Sequence, residues 1–202
     1  FWDVDSGKIM IGGVDVRNIP KEELMQVVSF VFQDSKLLKT SILENVRMAK
    51  PDATREEVVK TLEAAQCDDI IEKLPNGIDT IIGTKGVYLS GGEQQRITIA
   101  RVMLKNTPVI ILDEATAFAD PDNEFKVQTA FKALSRGKTV IIIAHRLSTV
   151  IGVDKIFVLK DGAIEECGSH EKLLQGEGLY ARMWREYNRA AEWKVGVSSA
   201  LA

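Results

Sequence analysis

Two aliphatic runs, Val109-Ile110-Ile111-Leu112 and Thr139-Val140-Ile141-Ile142-Ile143-Ala144, restrict the fold of this chain more than any other feature. Neither run alternates with polar residues, and a helical stretch from Asn123 to Ser135 lies between them. Parallel strands need a long crossover and are buried on both faces, so this order predicts a parallel sheet covered by helices. The fold class is therefore α/β. Val27 to Phe32 adds a β-rich run that stops at Gln33-Asp34. Gly12-Gly13 between Lys8–Ile11 and Val14–Val16 predicts a hairpin, and Asp161-Gly162 between Ile156–Leu159 and Ala163–Glu166 predicts another.

Between these strand signals the period changes. Ser41 to about Glu72 reads as helical, and Thr54-Arg55-Glu56-Glu57 is a capping box that opens Val58 to Ala65. Pro75-Asn76-Gly77 breaks the pattern. Gln94 to Lys105 is a helix ended by Asn106-Thr107-Pro108, and His170 to about Trp193 reads as an amphipathic tail. The expected plan is an α/β core with a helical insertion near 41–86, and the sequence holds no internal repeat or interdomain linker.

Length and charge bound what such a chain can do. Its 202 residues suffice for one sizeable domain, and a net charge of −3 argues against a broad grip on nucleic acid or anionic lipid. Cys67 and Cys167 are far apart and lack Cys or His neighbours at metal spacing, so they read as buried or incidental thiols of a reducing compartment. No apolar run reaches the roughly 18 residues of a membrane helix, and Phe1-Trp2-Asp3-Val4-Asp5 lacks the basic and apolar regions of a signal peptide. The chain opens on Phe1-Trp2 without a methionine, from which we expect that an upstream part precedes it.

The chemistry concentrates in two blocks. Ser90-Gly91-Gly92-Glu93 has the spacing of a capping box, but a cap does not call for two glycines. Gly91 and Gly92 remove side chains where a phosphate, or another surface, must approach backbone N–H groups. The strand Val109 to Leu112 ends on Asp113-Glu114. The C-terminal tip of a strand is where open α/β sheets bind ligands, and an unpaired carboxylate beside a dry core costs several kcal/mol unless a cation relieves it. His145 ends the other aliphatic run, and Gln33 ends the run from Val27. Gly137-Lys138-Thr139 imitates the end of a phosphate loop, but Lys132 stands where the first glycine is required, and a strand follows instead of a helix.

Tyr88-Leu89-Ser90-Gly91-Gly92-Glu93-Gln94-Gln95-Arg96, followed by Val109 to Glu114, closely resembles the signature and Walker B motifs of ATP-binding-cassette (ABC) ATPases. Glu93 stands where that family usually carries Gln. Phe32-Gln33-Asp34 followed by Thr40-Ser41-Ile42-Leu43-Glu44-Asn45-Val46 is similar to the exporter-type pattern, as is Arg146-Leu147-Ser148-Thr149. The resemblance implies that ATP and Mg²⁺ are the ligands. It implies that Asp113 holds Mg²⁺ mostly through water, and that Glu114 is the general base or positions the attacking water. By the same resemblance Gln33 touches Mg²⁺ and that water, and His145 contacts the γ-phosphate. Ser90, Gly91, Gly92 and Glu93 then form the nucleotide-facing signature, and Asp120, in Phe118-Ala119-Asp120, is a dimer contact of the nucleotide site. Ala117-Phe118 departs from the usual start of that loop. Thr84-Lys85-Gly86 falls where many exporters carry an acid beside the coupling surface. His170, which recurs in the family, reads here as a first-turn helix residue.

The resemblance spans essentially the whole chain and divides it into 1–40 (hairpin and Gln33 loop), 41–106 (helical subdomain and signature helix), 107–170 (Asp113, Asp120 and His145 core) and 171–202 (helical tail). It implies a transmembrane domain upstream in the same polypeptide, a second nucleotide-binding domain facing the first head to tail, and a place at the cytoplasmic face of a membrane. No Gly-x-x-x-x-Gly-Lys-[Ser/Thr] occurs in the sequence, so we expect the 202 residues alone to bind ATP poorly, to hydrolyse none and to aggregate readily. Two other readings carry the same motifs: a non-transport ABC ATPase of DNA repair, chromosome organisation or translation, and a truncated regulatory form without catalysis. The compact stretch between Gln33 and Ser90 argues against the chromosome type, which places a long coiled coil there.

Overall fold

The computed structural model describes residues 3–32, 36–83, 87–113, 121–144 and 146–200. Contacts divide the chain into two compact units, Phe1–Ile143 and Ala144–Ala202.

In the first unit, β1 (Met10–Ile11) and β2 (Val14–Asp15) pair antiparallel across Gly12-Gly13. Both glycines have positive φ, which only glycine adopts freely. Helix α1 (Lys21–Val27), which no clear sequence signal announces, follows Pro20 and runs straight into β3 (Val28–Val31). Then come α2 (Ile42–Arg47), α3 (Arg55–Ala64) and α4 (Asp68–Glu72). The predicted capping box is formed: Thr54 Oγ1 accepts the Glu57 amide at 3.2 Å, and Glu57 Oε2 accepts the Thr54 amide at 2.7 Å. The helical stretch expected from Ser41 to Glu72 is broken at Pro51 and again at Gln66, whose φ is positive. A bridge between Ser41 and Ile81 closes the base of the insertion.

Helix α5 (Gly91–Lys105) ends at Asn106, a left-handed cap, as Asn106-Thr107-Pro108 predicts. β4 (Val109–Asp113), α6 (Pro121–Ser135) and β5 (Thr139–Ile143) complete the unit. The sheet is parallel in the order β3-β4-β5. Val31, Ile110 and Leu112 enter a core shared with Ile97, Ile99 and Val102 of α5 and with Val127, Ala130 and Phe131 of α6. Aliphatic continuity overstates burial here: Ile141, Ile142 and Ile143 of β5 are 52%, 37% and 48% exposed. Helices α5 and α6 pack the face bearing Ile110 and Leu112, and β5 is an edge strand among the described residues.

Cys67 is fully buried beside α4, whereas Cys167 is exposed. Burial pushes the Cys67 thiol up to about 12. Against the ordinary thiol value of 9.0, that lowers the thiolate fraction by about 10³ at neutral pH. An aromatic disulfide reagent should therefore titrate one thiol in the native protein and the second only in denaturant. Rapid labelling of two thiols without denaturant would contradict the burial of Cys67.

In the second unit, β6 (Ile156–Lys160) and β7 (Ala163–Gly168) form the expected hairpin, with Asp161 and Gly162 at positive φ. The tail is two helices, α7 (His170–Leu174) and α8 (Leu179–Ala200), parted by a segment containing Gly176 and Gly178. Glu166 of β7 caps α8 by accepting the amides of Leu179 and Tyr180, and His170 Nδ1 meets the buried Tyr180 hydroxyl at 2.7 Å. Among the described residues no helix is long and apolar enough to cross a membrane.

Candidate nucleotide site

The candidate chemistry lies at two places, a helix start and a row of strand ends. At the N-terminus of α5 the capping box is real: Ser90 Oγ accepts the Glu93 amide at 3.3 Å and Glu93 Oε2 accepts the Ser90 amide at 2.8 Å. Lys73, just after α4, closes a salt bridge on Glu93 Oε1. Burial pushes the Glu93 carboxyl up, but the hydrogen bonds from Lys73 and the Ser90 amide outweigh it and hold the group below its ordinary value. Capping and anion binding are compatible here. The cap uses Ser90 Oγ as an acceptor, which leaves the O–H free to donate. Ser90 and Gly91 are exposed, so a 15-residue helix presents its first-turn amides and positive dipole end at an open rim.

Gly92 differs from Gly91. It is buried, and a β-carbon there would lie 3.0 Å from Asn123 Cβ and 3.3 Å from Asn123 Oδ1. Of the two things a diglycine can admit, Gly92 admits a neighbouring helix.

The strand ends lie side by side. Val31 is opposite Leu112 and Asp113 is opposite Ile143, so the strands leading to Gln33, Glu114 and His145 finish at one edge of a parallel sheet. Asp113 itself is half-buried at the tip of β4. Magnesium takes oxygen ligands and keeps several waters, so a carboxylate at an accessible strand tip suits it. Gln33, Glu114, Asp120, His145 and the Thr84–Gly86 segment lie outside the described residues.

Two features escaped the sequence reading. The first is Arg96, which is fully buried. Its guanidinium donates to Asp69 Oδ1 at 2.6 Å and Oδ2 at 3.1 Å, to Asn123 Oδ1 at 3.1 Å and to the Gln66 carbonyl. Lys126 adds a bond to Asp69 Oδ2 at 2.8 Å. An arginine on the apolar face of α5 is the one sequence signal that could have flagged this cluster. The second is Asn45, fully buried in α2. It accepts the Leu38 amide at 2.9 Å, donates to the Leu38 and Ser41 carbonyls, and receives Arg101 of α5 on its own carbonyl at 2.8 Å and on Oδ1 at 3.2 Å. Burial lowers the Arg101 guanidinium from its ordinary value.

Asp69 also makes the site sensitive to acid. Desolvation raises its carboxyl, but the hydrogen bonds and charges of Arg96 and Lys126 prevail and hold it well below the carboxylate range. The folded value is depressed, so its stabilisation is fully present above the unfolded value, about pH 4, and is lost as pH falls through the folded one. The unfolding midpoint should be flat above about pH 5 and fall below about pH 4, with a shallower fall in Asp69→Asn. Equal steepness in both proteins would remove Asp69 as the source.

Comparison with known proteins gives the family of the chain. Residues 2–117 match the model of the ABC transporter family. The chain belongs to that family. It is 49% identical over 191 residues to the mycobactin import ATP-binding/permease protein IrtA of Mycolicibacterium smegmatis, covering 95% of this chain and 22% of that protein. It is 43% identical over 188 residues to the putative multidrug export ATP-binding/permease protein YgaD of Bacillus subtilis, covering 93% of this chain and 32% of that one. Among solved structures, that of a bacterial Atm1-family ABC exporter with ATP bound superposes with a TM-score of 0.83 at 40% identity, covering 92% of this chain and 32% of that one. The chain thus spans between about a fifth and a third of the length of these relatives.

Proposed function

We propose that this chain is the ATP-binding and ATP-hydrolysing part of an ABC membrane transporter, working as one half of a head-to-tail dimer that couples hydrolysis to translocation. The observation that carries the reading is the alignment of three parallel strand ends leading to Gln33, Glu114 and His145, in a chain that also opens a capped, exposed helix start at Ser90. In this reading Glu114 orients and deprotonates the attacking water, His145 donates to the γ-phosphate, and Gln33 holds the water in line. Asp113, with Gln33, would hold magnesium, which when bound neutralises charge on the phosphates. Ser90 O–H and the Gly91 amide bind the phosphates of a nucleotide held by the opposite subunit, Glu93 keeps that helix start capped, and Asp120 meets the opposite subunit.

The transmembrane part occupies the same polypeptide, in keeping with the two ATP-binding/permease relatives, and the assembly works at the cytoplasmic face of a membrane. Coupling runs through contiguous groups. The segment after Gln33 is tied by Asn45 to α2 and, through Arg101, to α5, whose far end is Ser90. A membrane partner pressing on residues 36–41 therefore acts on the signature helix.

The test is phosphate release by the full polypeptide in a lipid bilayer, with magnesium present and then chelated. We expect turnover that requires magnesium and is abolished by Ser90→Arg, and none from the 202 residues alone, which contain no lysine-bearing phosphate loop. Full activity in Ser90→Arg, or turnover that survives chelation of magnesium, would refute the assignment; turnover by the 202 residues would refute only their expected inactivity.

A further inference from the structure

Three helices meet at one charge cluster. Asp69 of α4 and the Gln66 carbonyl before it receive the buried Arg96 guanidinium of α5. Asn123 of α6 accepts from the same guanidinium at 3.1 Å, and Lys126 of α6 returns to Asp69 at 2.8 Å. One turn before Arg96, the backbone of Gly92 lies so close to Asn123 that a β-carbon would sit 3.0 Å from Asn123 Cβ. The start of α5 and the start of α6 are thereby joined twice, once by steric contact and once by a planar guanidinium whose several bonds cannot slide together.

We infer that this junction is a positioning device that fixes the Ser90 end of α5 on the first turn of α6, so that both move as one body. Arg96, Asn123 and Asp69 are positioning residues; none of them needs to touch a nucleotide. What they position follows from the proposed function: Ser90 and Gly91 lie at the near end of α5, and α6 begins directly after Asp120 in the chain. Gly92 has a role in this junction that differs from making room for a phosphate. Glycine at that position lets the two helix starts approach so closely that a single methyl group would push them apart.

The experiment compares Gly92→Ala with Gly92→Ala/Asn123→Gly in the full polypeptide. Hydrogen exchange follows the first-turn amides of α5 and α6 against those of β3 and β4, and steady-state kinetics give kcat and KM for ATP. Gly92→Ala should lose protection at both helix starts together while the strands keep theirs. It should lower kcat by about tenfold or more, since a misplacement of an ångström can cost that much, with KM within about twofold. The double variant should recover protection and kcat only to the level of Asn123→Gly alone, because the clash is relieved while the bond from Arg96 stays lost. Should Gly92→Ala fail to fold, Asn123→Ala removes the bond from Arg96, and a smaller paired loss of protection at both helix starts is expected. Opening of one helix start without the other would overturn the inference, as would protection recovered to the level of Asn123→Gly with kcat left below it, which would give Gly92 a direct contact with ATP. If the unmodified polypeptide turns over no ATP, the nucleotide reading fails by itself; the exchange arm still decides whether the two helix starts are locked.

Discussion

Glu114→Gln in the full polypeptide should lower magnesium-dependent ATP turnover by about 10²- to 10⁴-fold while leaving ATP binding nearly unchanged. The substitution keeps size and hydrogen-bonding reach and removes only basicity, so it separates proton abstraction from binding. β4 delivers the neighbouring Asp113 to the tip of a parallel sheet, and Glu114 is the next residue along. In the proposed function a carboxylate there is the base for the attacking water, and an amide cannot take the proton. Phosphate release and binding of a fluorescent ATP analogue measure the two halves separately. Turnover within a few-fold of the unmodified protein would remove Glu114 from the role of base. A parallel loss of binding would make it a ligand for the nucleotide instead.

The second large effect concerns folding. Arg96→Ala and Asp69→Ala should each cost about 3 kcal/mol, because either change leaves a buried charge or a cavity where an ion pair was. At roughly 2–4 °C per kcal/mol for a domain of this size, the thermal midpoint should fall by roughly 6–12 °C. Asp69→Ala should be at least as damaging as Arg96→Ala, although the Asp69 side chain is 42% exposed. The reason is that Arg96 has 0% exposure and cannot be rehydrated when its counter-ion goes. Asp69→Ala combined with Arg96→Met should cost less than the sum of Asp69→Ala and Arg96→Met alone, since the apolar replacement removes the stranded charge. Strict additivity across that cycle would mean that the two groups do not act as a pair.

Much of the architecture is readable from local patterns. The turns at Gly12-Gly13 and Asp161-Gly162, the Thr54–Glu57 and Ser90–Glu93 boxes and the Asn106 cap each fall where the sequence implies. These features depend on backbone torsions and on hydrogen bonds between residues a few positions apart, so neighbours in sequence suffice to specify them. The misses are of another kind. Helix α1 carries no strong cap, and the tail splits into α7 and α8 around Gly176 and Gly178, with Glu166 reaching across from β7 to cap the second piece. A partner from another element leaves no periodic trace in the helix that it caps.

At the site, the acidic strand tip at Asp113 and the capped diglycine turn were legible because strand ending and helix start are local events. The three strands that carry Asp113 and lead to Gln33 and His145 are aliphatic enough to announce themselves. Only the folded chain could decide that these strands end side by side, that Gly92 seats a helix and not just an anion, and that an arginine on the signature helix is entirely buried. Register, close approach and burial are set by contacts between residues distant in sequence, such as Arg96 with Asp69 and Asn123. The linear order of residues does not encode those distances without the packing that creates them.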